Sequence, residues 1–200
     1  MTKIEKERAF FNERAATWDQ KVVHDPKKIT AILATIEIKE GDRILDVGCG
    51  TGVLSPYLLK LIGEQGSILS MDLAEEMIRI AKKKRNHPQV EYRRGNVLED
   101  LGEEIFDQII CYSMFPHFEK KKEAIGQLTK HLKPGGTLTI AHSNSRDGIN
   151  GMHGEQTGTT VKEDRLPTAE MLISYGEEAG LERAQVIDNS ECFLVSFKQK

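Results

Sequence analysis

Cysteine is scarce in this chain: Cys49, Cys111 and Cys192 are the three among 200 residues. They are too few and too scattered for a disulfide framework or a paired-thiol metal site, and small buried residues are the expected role. Excess charge of one sign is also missing, with 28 basic residues against 31 acidic ones and a net charge of −3. That balance argues against a broad basic face for a phosphate backbone, so no nucleic-acid partner is expected. The one basic run, Lys82-Lys-Lys-Arg85, ends a predicted helix, where cations suit the dipole. No apolar run is long enough to span a bilayer, so no membrane partner is expected. The first residues, Met1-Thr-Lys-Ile-Glu-Lys-Glu-Arg, are charged and lead into no secretory core, which makes the cytoplasm the expected location. Repeats and low-complexity tracts are absent as well. The chain therefore reads as one ordinary domain over 1–200, with 38% hydrophobic and 30% charged residues.

The most informative stretch is 44–54, Ile-Leu-Asp-Val-Gly-Cys-Gly-Thr-Gly-Val-Leu. An apolar run ends in Asp46, glycines follow at 48, 50 and 52, and a helical pattern begins. Glycines at such a junction let the chain turn tightly and let a ligand touch bare backbone. The free N–H groups and dipole of the following helix favour a polar or anionic group. A dinucleotide fingerprint needs G-x-G-x-x-G, but here the third glycine comes one position early and Val53 stands in its place. Asp46 would also repel a pyrophosphate, whereas it suits a cofactor that carries an amine. No Gly-Lys-Ser/Thr follows, so a Walker A loop is excluded.

Asp46-Val-Gly-Cys-Gly-Thr-Gly52 resembles the first motif of the Rossmann-like (class I) S-adenosylmethionine-dependent methyltransferases. The resemblance runs from about residue 8 to the C-terminus. It is greatest to small-molecule enzymes of the ubiquinone/menaquinone-methyltransferase-like type.

Strand and helix signals alternate, which predicts an α/β fold around a mostly parallel sheet. Strands are expected at Arg43–Val47, Ser67–Asp72, Val90–Arg94, Phe106–Tyr112 and Thr137–His142. Helices are expected at Val53–Ile62, Glu75–Lys84 and Lys120–Leu132, the last stopping before a Pro134-Gly-Gly136 turn. Thr168 caps a helix to Ala179 that Gly180 ends, and Ala184–Asp188 with Cys192–Lys198 form an antiparallel pair. The resemblance implies a Rossmann-like seven-stranded sheet in the order 3-2-1-4-5-7-6, with a C-terminal antiparallel hairpin and helices on both faces.

The resemblance also carries site residues. S-adenosylmethionine would be held by Asp46, Gly48 and Gly50, and by Asp72, whose carboxylate can accept from both ribose hydroxyls or cap the next helix. Leu73 would pack on adenine, Asn96 would accept from its amino group, and the Val97 N–H would meet a ring nitrogen. Many relatives have Asp where Asn96 stands, so this contact lacks charge assistance. Met77, Cys111 and Tyr112 complete the cofactor set. Residues 1–30 resemble a helical lid in which Trp18 covers the methionine end of the cofactor, or in which Phe10, Phe11 and Trp18 simply dock on the core.

On the substrate side, 143–167 reads as a long loop with little regular pattern, and loops of that length are usually functional. His117, His142 and Arg146 are the catalytic candidates: an imidazole suits a base, and a guanidinium suits a carboxylate or phosphate clamp. Phe118, Ser143, Asn150 and His153 are expected to face the acceptor. His117, His142 and His153 have an alternative role as metal ligands, although no short-range ligand spacing links them. Paired thiols for arsenic chemistry are absent, as is the Pro-Pro-Tyr segment of DNA amino-methyltransferases. The expected activity is therefore methyl transfer from S-adenosylmethionine to a small molecule. A non-catalytic S-adenosylmethionine or S-adenosylhomocysteine binding protein is the first alternative, and a nicotinamide-dependent oxidoreductase the second.

Overall fold

The computed structural model describes residues 1–155, 161 and 164–200. The chain forms two compact units, 1–102 and 103–200.

In the first unit, helix α1 (Lys3–Arg14) opens with a reciprocal cap in which Thr2 and Glu5 satisfy each other's free N–H groups. A 3₁₀ turn (Ala15–Thr17), α2 (Trp18–Lys21) and α3 (Pro26–Leu33) follow. Asp25 caps α3 by accepting from the Lys27 N–H, with Pro26 at the first helical position. Then β1 (Arg43–Val47), α4 (Ser55–Ile62), β2 (Ser67–Asp72), α5 (Glu75–Arg85) and β3 (Val90–Arg94) alternate. The strands are parallel in the order β3-β2-β1. Ile44, Leu45, Val47, Ile68, Leu69 and Met71 are all buried, as strands covered on both faces require.

The second unit contains β4 (Phe106–Tyr112), a 3₁₀ turn (Phe115–His117), α6 (Lys121–Thr129), β5 (Leu132–His142), α7 (Arg146–Glu155), α8 (Ala169–Glu178), β6 (Glu182–Asp188) and β7 (Phe193–Lys198). Its strands run β4-β5-β7-β6, with β4 and β5 parallel and β7 antiparallel to both neighbours. Phe193, Leu194, Val195 and Phe197 are fully buried on β7, while β6 is mostly exposed as an edge. A Cβ on Gly176 would overlap the Phe197 ring, so glycine is what lets α8 lie against β7. Gly180 ends the helix at φ +85°, as expected. The expected strand order is met within each unit.

Two stretches differ from expectation. The Pro134-Gly-Gly136 turn lies inside β5 as a bulge: pairing with β4 passes from Leu132 directly to Thr137, and Gly135 takes φ +76°. Of the segment 143–167, residues 156–160, 162 and 163 lie outside the described residues, and the rest is not irregular throughout, because α7 occupies Arg146–Glu155. Its glycines at 148, 151 and 154 hide it from propensity, each costing about 1 kcal/mol in a helix interior. Tertiary contacts compensate. Ile149 is buried, Ser145 Oγ accepts from the Gly148 N–H, and the Asn150 amide bonds the backbone N–H and C=O of Leu166.

Candidate functional site

Beyond β1 the chain turns through Gly48, Gly50 and Gly52 at φ +64°, +54° and +81°, a region that side chains disfavour. Gly52 is doubly constrained, since a Cβ there would sit 2.9 Å from Tyr92 Oη. At Gly50 the nearest atom to an added Cβ is Trp18 Nε1, at 3.9 Å. Cys49 is buried, and its N–H donates to the Met71 carbonyl, tying the loop to β2.

Asp46 is 2% exposed, with Ser70 Oγ donating to its Oδ2 at 3.3 Å. Burial pushes its carboxyl up to about 7; the Ser70 bond works against that rise and the charge of Asp72 adds to it. A carboxylate held so far from water fits a cationic amine partner, which would return it to its ionised form. Asp72 Oδ2 accepts from the Gly50 N–H at 2.8 Å and Oδ1 from the Ala74 N–H at 2.9 Å. One carboxylate therefore braces the glycine loop and the start of α5 together. Leu73 is half-buried beside it. Asn96 Oδ1 accepts from the Leu98 N–H, and its own N–H donates to Asp100 Oδ2 at 2.6 Å. Val97 is buried.

The N-terminal segment docks on this unit. Ala15, Ala74, Met77 and Ile80 form a buried cluster against which Phe11 and Trp18 pack. Met77 is therefore packed beneath the segment as well as being a cofactor candidate. Arg8 makes two 2.8 Å bonds to Glu75, and Asn12 Oδ1 accepts from the Glu76 N–H. Asp19 accepts from Thr51 Oγ1 at 2.5 Å and pairs with Lys84 at 2.6 Å. This tie from the segment to the glycine loop was not read from the sequence; the acid after Trp18 was its only signal.

In the second unit, Cys111 and Tyr112 are buried at the end of β4, followed by Ser113 at φ +55°, a non-glycine residue in the left-handed region. The next turn carries His117, and Phe118 packs edge-on against Phe115. His117 Nδ1 lies 2.7 Å from Asp164 Oδ2, and His153 Nδ1 lies 3.0 Å from the Asp164 carbonyl. The two imidazole rings are 5.3 Å apart. His142 is 3% exposed, and its Nε2 has no partner among the described residues. Burial, with help from the neighbouring His117 and His153, pushes its pKa down to about 3. It is thus a neutral imidazole throughout the physiological range.

The structure brings the three histidines together, but their ring nitrogens do not all lie within 4.8 Å of one another, so among the described residues they form no ligand set. Arg146 pairs with Asp147 at the start of α7. Asn150 holds the 166 backbone, and Ser143 is half-buried after β5. Asp164, 1% exposed, was missed, because a single acid in Lys-Glu-Asp-Arg carries no pattern.

A glycine loop flanked by a buried acid, with a second acid at the next strand end, is the layout of an α/β protein built for a nucleoside cofactor. Residues 44–136 match the family model described as a methyltransferase domain. A ubiquinone biosynthesis O-methyltransferase of Xanthomonas campestris is 36% identical over 138 residues, or 64% of this chain and 56% of that protein. The chain thus spans just over half the length of this curated relative. A methyltransferase of Aquifex aeolicus described as dependent on S-adenosylmethionine superposes at TM-score 0.72 and 23% identity, covering 94% of this chain and 98% of that one. The N-methyltransferase NodS of Bradyrhizobium japonicum, solved with S-adenosyl-L-homocysteine, gives 0.71 at 18% identity, covering 97% and 98%. Over residues 44–136 the chain is thus similar to methyltransferase domains, and it shares the fold of these solved methyltransferases. No helix among the described residues is long and apolar enough to cross a membrane.

Proposed function

We propose that this protein transfers a methyl group from S-adenosylmethionine to the hydroxyl or amine of a small molecule in the cytoplasm. Buried Asp46 beside three left-handed glycines carries the cofactor half of this reading. Bound there, S-adenosylmethionine supplies an electrophilic methyl group on a sulfonium. Asp46 accepts from the cofactor's amine, Asp72 from its ribose hydroxyls and Asn96 from its adenine amino group. The Val97 N–H donates to a ring nitrogen, and Trp18, close to Gly50, excludes water. Cys111 and Tyr112 remain candidates for the methionine part.

The acceptor half rests on His117 and Asp164. With Nδ1–H donating to the Asp164 carboxylate, Nε2 is left as the basic nitrogen. Such a pair orients the ring and stabilises the imidazolium formed when a proton is taken from O–H or N–H. A base of this kind has no task on a thioether or another acceptor without a proton. Phe118 and His153 shape the acceptor side, and His142 stays neutral. The role of Arg146 is a clamp on an anionic acceptor. Incubating the protein with S-adenosylmethionine and a panel of phenols, amines and thioethers tests this reading. S-adenosylhomocysteine should form with phenols or amines, and formation with thioethers alone would overturn the base assignment.

A further inference from the structure

A cavity of about 400 Å³ lies in the first unit, with none of Asp46, Asp72 or Asn96 in its wall. Its size is that of a small-ligand pocket. Val53, Pro56 and Tyr57 supply apolar wall, and Lys60 and Arg85 supply positive charge from the last turns of α4 and α5. Arg85 Nε is buried there without a hydrogen-bond acceptor among the described residues. The rest of the guanidinium lines the cavity, where its charge favours an anion.

Among the other charged and titratable groups in the wall, Asp19 offsets part of that positive charge, since its carboxylate also attracts Arg85. Asp19 is already engaged by Thr51 and Lys84. Burial pulls the pKa of His24 below its ordinary value, so it adds little charge near neutrality. The wall therefore combines apolar side chains with two cations, Lys60 and Arg85.

We propose that this cavity is a second ligand site, one that takes a small ring-bearing carboxylate. The carboxylate lies on Arg85 and Lys60, and the ring lies against Val53, Pro56 and Tyr57. The site does not depend on the cofactor reading, since it is built from other side chains. Thr51 alone links its wall to the glycine loop.

The test titrates the full chain, without cofactor, with benzoate, phenyl phosphate and benzyl alcohol, followed by amide chemical shifts. Benzoate should saturate with a dissociation constant on the order of 1 mM, as fits a ligand of this size. Shifts should centre on residues 51–60 and 85. Benzyl alcohol should bind about tenfold more weakly, and Arg85→Gln and Lys60→Met should each weaken benzoate severalfold, by loss of a charge-assisted bond. Thermal melts of both variants report whether they fold, and Lys60→Met carries the test if Arg85→Gln does not. Equal binding of benzyl alcohol, full-strength benzoate binding to the folded variants, or no saturable binding would overturn the proposal. Displacement of benzoate by S-adenosylhomocysteine would also overturn it, by merging the cavity with the cofactor site. Tighter binding of phenyl phosphate on the same amides would replace the carboxylate by a phosphate and so refute the ligand class.

Discussion

Asp46→Asn removes a titrating group from the interior while keeping its shape. The folded chain holds the Asp46 proton up to about pH 7, whereas an ordinary aspartate loses it near 3.8. Between those values the folded state binds more protons than the unfolded one, so stability falls as pH rises. The contribution is fully present below the unfolded value and is lost as pH rises through the folded one. The lift is about three pK units at about 1.4 kcal/mol each, which bounds the burden of the ionised carboxylate at about 4 kcal/mol in the ligand-free protein. Asparagine carries no such burden. Urea denaturation of both proteins at pH 4.5 and pH 8 should therefore show the difference in stability swinging toward the variant by about 2–4 kcal/mol. An equal displacement of the two curves at both pH values would refute the buried-charge reasoning.

Four other perturbations follow from the geometry. Asp72→Ala deletes bonds to the Gly50 and Ala74 N–H groups and should weaken S-adenosylhomocysteine by about 10–100-fold, as charged hydrogen bonds are worth; unchanged affinity by calorimetry would sink the ribose assignment. His117→Ala should lower turnover by about 10²–10⁴-fold with cofactor affinity nearly intact. Asp164→Asn should lower turnover less and move the pH–rate profile, whereas an unmoved profile would make the pair merely structural. Gly52→Ala puts a Cβ against Tyr92 Oη at φ +81° and should cost about 1–3 kcal/mol; a melting temperature equal to wild type would show that the loop relaxes freely.

The parallel strands were legible in the sequence because β1, β2, β3 and β4 are short runs ended by loop residues, with no competing pattern. The glycine loop was legible for a related reason: three glycines in alternation have few uses other than positive φ. The segment over 143–167 was not, since α7 draws its stability from Ile149, Asn150 and Ser145 rather than from propensity. Asp164 gains meaning only from His117, 47 residues away, and Asp19 only from Thr51 and Lys84. Such pairs leave no local trace. His142 looked equivalent to His117 as a base; burial separates the two.

Calorimetric titration with S-adenosylhomocysteine at pH 6, in two buffers of different ionisation enthalpy, tests the central claim most directly. With a carboxyl near pKa 7, about nine-tenths of Asp46 is protonated at that pH and must release its proton to meet the ligand's amine. The account predicts micromolar binding with heats that differ between buffers by close to one proton, a difference that Asp46→Asn abolishes. Absence of binding in either buffer would contradict the account.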